Sequence, residues 1–176
     1  MNRTLLLATL FFVVGFQAKA LDLEKALQPT IESAQKWAAD AKIVAAVKDA
    51  NTSNATKFKS MNQDKWKAAS IMDAIVKDFT KNDAAVFLKT SKTPEVTEAF
   101  VNAKDGTKVA FLAKTSGWIH LGKPKHDTPM TGKVWIGKVE VDESTGLQQV
   151  QFSVPVMDGA KPIGSLVVGV DASKLK

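Results

Sequence analysis

The chain's two histidines, His120 and His126, stand in one polar stretch, Thr115 to Lys133, together with Trp118, Lys123, Lys125 and Asp127. An imidazole exchanges a proton near neutral pH. An ammonium beside it can hold a carboxylate, and an indole can wall a small pocket. Residue types of this kind suit recognition of a small polar molecule, which needs apolar walls and a few converging polar groups. They suit catalysis less well. No serine lies in a G-x-S-x-G elbow. The histidines are six apart, which is not the spacing of a helical zinc protease motif. His120, His126 and Asp127 could supply three ligands to a metal with an open position, but binding is the reading these residues favour. No glycine-rich phosphate loop joins a strand to a helix, and no carboxylate pair stands out for acid–base work. The expectation is a binding protein, not an enzyme, without cofactor or metal.

Neighbouring strands complete the constellation. Trp135 lies just beyond the polar stretch. In Val150–Met157, alternation places Val150, Phe152, Val154 and Val156 on one face and Gln151, Ser153, Pro155 and Met157 on the other. The apolar set belongs against a helix layer, and the Gln/Ser set faces the polar stretch. The candidate ligand-binding residues are therefore Trp118, His120, Lys123, His126, Trp135, Gln151 and Ser153. Trp118 and Trp135 would form the walls, Gln151 and Ser153 would hydrogen-bond the ligand, and His120 or Lys123 would meet an anionic group such as a carboxylate.

The elements that must position these residues fall into two halves. Leu23, Leu27, Ile31, Ala34, Trp37, Ala41, Val44 and Val47 recur at helical spacing, predicting one long helix, with Pro29 near its start and Asn51–Asn54 as its end. Asn62–Lys81 reads as shorter helices, and Ala84–Thr90 closes that layer. From Thr97 the period becomes two. Ala99–Ala103 and Thr107–Ala113 flank Asp105-Gly106, a tight-turn pair. Val134–Val141, Leu147–Met157 and Ile163–Asp171 follow. The result is an α+β domain, a long N-terminal helix packed on a five-stranded antiparallel sheet. The long connection carrying His120 and His126 is its main irregularity, and such loops are often functional.

Met1–Ala20 has the pattern of a secretory signal peptide: Arg3, an apolar run from Leu5 to Phe16, then Ala18-Lys19-Ala20. This predicts cleavage and a periplasmic or secreted single domain over 21–176. Beyond residue 20 there are 22 lysines against 18 acidic residues, a dispersed net +4, and no arginine and no cysteine. Disulfide scaffolds and thiol chemistry are excluded. A nucleic-acid surface is not expected, because bidentate arginine contacts are missing.

The segment Pro94–Ala110, the start of the loop at Lys114–Trp118, and the strand pair Phe152–Val156 and Ile163–Asp171 together resemble the single-Cache domains, PAS-like extracytoplasmic sensor domains of bacteria. The resemblance implies a long helix along one sheet face and a small ligand on the other face, under the long loop. Members of the family are usually tethered to an output module, whereas Lys176 follows directly on the last strand here. The expectation is a free-standing sensing or binding module for a small carboxylate or amino acid. A membrane signalling protein is its expected partner, with a homodimer formed through the N-terminal helix. An envelope structural or protein-interaction domain, using the same fold as a docking surface, is the second reading.

Overall fold

The computed structural model describes residues 12–141 and 146–175, with side chains from residue 22 onward. The start of the signal-peptide pattern and residues 142–145, between the third and fourth expected strands, lie outside the described residues.

The helical half opens with α1 (Phe12–Ala38) and α2 (Ala41–Lys57). Leu27, Ile31, Ala34, Trp37 and Ala38 form the buried stripe of α1. The expected single helix is two helices. The chain turns at Ala39-Asp40, where the Asp40 carboxylate accepts from Lys42 N at 2.9 Å and caps α2. Asn51–Asn54 does not end α2. Its amides find tertiary partners instead: Asn54 Nδ2 donates to Thr107 Oγ1 and to Lys108 O, and Asn51 Nδ2 donates to Ile163 O. Pro29 sits inside α1, which continues through it. Short helices α3 (Gln63–Ala68), α4 (Ala74–Lys81) and α5 (Asp83–Ser91) follow.

The second half is one antiparallel sheet: β1 (Val96–Ala103), β2 (Lys108–Phe111), β3 (Trp135–Val141), β4 (Gln148–Asp158) and β5 (Lys161–Asp171), in the order β2-β1-β5-β4-β3. The helices-plus-sheet α+β class is as the period change predicts. One sheet face carries Ala99, Val101, Val150, Phe152, Val154, Val156, Leu166, Val168 and Val170 against α1, α2 and α5, making the main core. Burying each large aliphatic side chain contributes about 1.5–3 kcal/mol. The other face carries Phe100, Phe111 and Val167, covered by Trp66, Val76, Phe79 and Trp118. Beside this aromatic cluster the same face is polar. Among the described residues no helix is long and apolar enough to cross a membrane.

Candidate functional site

The connection from β2 to β3 is folded onto the polar face. Its first part is tied to α3: Trp66 Nε1 donates to Thr115 O at 2.7 Å, Gln63 Nε2 donates to Ser116 O, and Trp118 N donates to Gln63 Oε1. Trp118 is buried among Phe58, Trp66 and Phe79, with ring centroids 5.0–5.9 Å away. Its indole is thus part of the aromatic core. The second part runs along the β1–β2 turn, where His120 N donates to Gly106 O at 2.9 Å. Gly106 has φ +78°, and a Cβ there would stand 2.2 Å from Leu121 N. The Asp-Gly pair therefore shapes the hairpin and leaves room for the loop. A one-turn helix, α6 (Pro124–Asp127), then brings two adjacent side chains to the sheet.

One of them, Lys125, reaches a groove of about 1060 Å³ lined by Glu98, Lys125, Trp135, Gly137, Gln149 and Gln151, with Lys114, Ser116 and Ile71 at its sides. Lys125 Nζ donates to Gln151 Oε1 at 2.5 Å, and Gln151 Nε2 donates to Glu98 Oε2 at 2.7 Å. A single amide therefore stands between an ammonium and a carboxylate. Thr97 Oγ1 donates to Gln149 Oε1 at 2.8 Å, which turns the Gln149 amide nitrogen toward Glu98. The pKa of Lys125 is lowered by partial burial, against the opposing pull of Glu98. Two glycines shape the groove. A Cβ at Gly137 would lie 2.8 Å from the Trp135 ring, and one at Gly169 would lie 2.5 Å from Gln149 Nε2. The indole and the amide occupy the space that those side chains would fill.

The other side chain, His126, is fully buried and ends a chain of buried polar groups. Lys108 Nζ donates to Asn102 Oδ1 at 2.8 Å, and Asn102 Nδ2 donates to Ser165 Oγ at 3.0 Å. Ser165 Oγ lies 2.8 Å from His126 Nδ1, and His126 Nε2 lies 3.2 Å from Lys104 O. A carbonyl only accepts, so Nε2 carries the hydrogen and Nδ1 accepts from Ser165. Lys108 also contacts His120 Nδ1 and lies over the Phe100 ring, on which His120 stacks with centroids 4.8 Å apart. Burial holds the Lys108 pKa well below its ordinary value; Glu98 opposes the shift and Lys125 adds to it. Burial, then the charge of Lys108, lowers His120 from 6.5 to about 3. Burial also lowers His126, opposed by its hydrogen bond to Lys104 O and by Asp127.

The seven sequence candidates thus separate. Trp135 and Gln151 line the groove, and Trp118 stands in the aromatic core. His120 and His126 enter the buried chain, and Lys123 is exposed at the start of α6. Ser153 is fully buried opposite Trp135, its hydroxyl without a hydrogen-bond partner, and it does not line the groove. No group of three His, Asp or Glu side chains converges as a metal-ligand set among the described residues. Sequence reasoning did not single out Glu98, Asn102, Lys108 and Ser165. The signal for the last three was a polar residue inside an otherwise apolar strand.

No protein-family model matches the chain, and no curated protein matches it. Among solved structures it is similar to the sensor domain of the V. cholerae histidine kinase DctB, at 13% identity and a TM-score of 0.49 over 90% of this chain and 55% of that one. It is similar to the ligand-binding domain of the Pseudomonas aeruginosa PAO1 amino acid chemoreceptor PctC in complex with GABA, at 11% identity and a TM-score of 0.48, over 90% of this chain and 60% of that one. The E. coli DcuS sensor domain is matched at 13% identity and a TM-score of 0.49, over 88% of this chain and 94% of that one. The chain therefore spans less than two thirds of the first two domains.

Proposed function

We propose that this chain is an extracytoplasmic small-molecule-binding module, whose ligand is an amino acid or short carboxylate held in the Trp135 groove. The observation that carries this reading is the Lys125–Gln151–Glu98 bridge on the groove floor. Gln151 satisfies both charges without neutralising either. A zwitterion laid across it brings a carboxylate to Lys125 and an ammonium to Glu98. Such charge-assisted bonds are shorter and stronger than the amide bonds they replace. Trp135 supplies the apolar wall at low conformational cost. Export rests on the Met1–Ala20 pattern, and signal output would pass through a membrane protein partner. Pairing of two copies along α1 belongs to the same proposal.

The test is a thermal-shift screen of the full set of amino acids and of short mono- and dicarboxylates. A ligand that binds only the native state raises Tm by mass action. The expected result is one chemical class that shifts the wild type, with the shift lost in Lys125→Met. If no compound shifts the wild type, the reading fails. A co-purifying protein partner would then favour the docking-surface alternative, for which the exposed Ile71, Met72, Val139 and Val141 beside edge strand β3 provide apolar contact.

A further inference from the structure

The polar chain behind the groove has a direction, and that direction has a consequence for acid. Each group in it uses its hydrogens in one sense only. Asn102 donates to Ser165, so the one Ser165 hydrogen goes to His126 Nδ1. His126 Nε2 carries its own hydrogen to Lys104 O. A proton added at Nδ1 turns it into a donor, and the fully buried Ser165 hydroxyl, then accepting from both Asn102 and His126, loses the acceptor for its own hydrogen. His120 has the same constraint from another side. Its Nδ1 faces the buried Lys108 amine, and a proton there places two cations in contact over one phenyl ring.

These two imidazoles are also the buried side-chain attachments of the loop's second part, beside the Lys125 bond to Gln151 and the His120 N bond to Gly106 O. The first part is held differently, by Gln63, Trp66 and the burial of Trp118. We propose that the segment from His120 to Asp127 is an acid-released clamp. It closes on the sheet while both imidazoles are neutral and lets go when they take up protons, leaving Thr115–Trp118 anchored. Lys125 hangs from the same turn as His126, so release also withdraws the ammonium from the groove. That last link rests on the proposed ligand site; the release itself does not.

The imidazoles stand among other ionisable groups. On β2 the ionisable side chain acting on them is Lys108, itself opposed by Glu98 of β1, and on the β1–β2 turn it is Asp105, with Lys104 meeting His126 through its carbonyl. On α6 and the residue before it they are Lys123, Lys125 and Asp127. Asp105 is occupied by Thr107 N and Oγ1, and Asp127 accepts from Gly122 N. β5 contributes Ser165, which does not ionise. Burial makes Lys108 resist its proton as the imidazoles do, and a double histidine variant separates its response from theirs. The lowered pKa values of His120 and His126 agree in direction, because the closed form resists the protons that the open form accepts.

Hydrogen exchange followed by mass spectrometry, on the ligand-free full chain from pH 7.5 to 4.5 and corrected for intrinsic exchange, tests this. Each imidazole protonated only in the open form raises the opening constant by about tenfold per pH unit below about 6.5. The expected result is loss of protection over 119–127, while peptides from β4, β5 and 112–118 keep theirs. The double variant His120→Gln/His126→Gln, which keeps neutral donors and acceptors in place, is expected to hold its protection across the same range. Protection that persists to pH 4.5 overturns the proposal. So does loss shared equally with the sheet, or an unchanged response in the double variant. Should the double variant fail to fold, wild-type imidazole NMR titrations decide. Two histidines protonating in step with release support the clamp, and titration near 6.5 without release overturns it. All these readouts are independent of whether any ligand binds.

Discussion

The two tryptophans nearest the polar stretch make opposite contributions, although they look alike in sequence. Trp118 is 2% exposed and touches three other aromatic rings. Truncating it leaves a large cavity, so Trp118→Ala is expected to cost about 3–5 kcal/mol of stability. Trp135 is half-buried on the groove wall, so Trp135→Ala is expected to leave the denaturant midpoint within about 1 kcal/mol of wild type while weakening ligand binding. Equilibrium urea unfolding of both variants checks the contrast. Residue chemistry also sets the pH dependence. The unfolded chain protonates histidine near 6.5, whereas folded His120 resists protonation until about 3. Its contribution to stability is complete above about pH 6.5 and is lost as the pH falls toward 3. Lys108 acts in the same sense at higher pH, because the folded state binds its proton less readily than the unfolded chain does. The Tm is therefore expected to rise with pH from the acid range to about 6.5, and His120→Gln is expected to flatten that part of the curve. A Tm that falls between pH 5 and 7 would contradict this assignment.

At the scale of elements, periodicity made most of the fold legible. The switch from helical to alternating spacing marked where helices stop and strands begin, and Asp105-Gly106 marked the first hairpin. The alternation in β4 correctly separated Val150, Phe152, Val154 and Val156, which face the helices, from Gln151. The break between α1 and α2 was not legible, because Asp40 looks like any solvated acid until its cap to Lys42 N is seen. Asn51–Asn54 misled for the converse reason. Polar residues usually end a helix, but here the amides of Asn51 and Asn54 are held by β5 and β2 and the helix runs on to Lys57. The buried chain was half legible. Its histidines stood out in the loop, but Asn102, Lys108 and Ser165 are assembled only by strand register. Two substitutions test the element-level account. Asp40→Ala removes the α2 cap and is expected to cost about 1 kcal/mol in urea unfolding. Gly106→Ala puts a side chain at positive φ against Leu121 N. It is expected to raise amide exchange across residues 119–127 at pH 7.5 with the sheet still protected. Unchanged exchange there would show that the hairpin turn does not seat the loop.

Across the whole molecule, the sheet separates two kinds of interior. The helix side is mainly apolar and holds the larger core. The opposite side is shared by an aromatic cluster, a buried amine–amide–hydroxyl–imidazole chain and an open groove. α6 contacts the last two through adjacent residues. That arrangement lets occupancy of the groove and closure of the loop influence one another, as linkage requires of two events sharing one element. The central claim is that the groove holds a small carboxylate or zwitterion on Lys125. Calorimetric titration at pH 7.5 with the compound giving the largest thermal shift tests it most directly, comparing wild type, Lys125→Met and Lys81→Met. Lys81 lies in a separate depression between α2 and α4. The account predicts saturable binding that Lys125→Met weakens at least about tenfold, the scale of one lost charge-assisted hydrogen bond, and that Lys81→Met leaves intact. Equal affinity in wild type and Lys125→Met would contradict it.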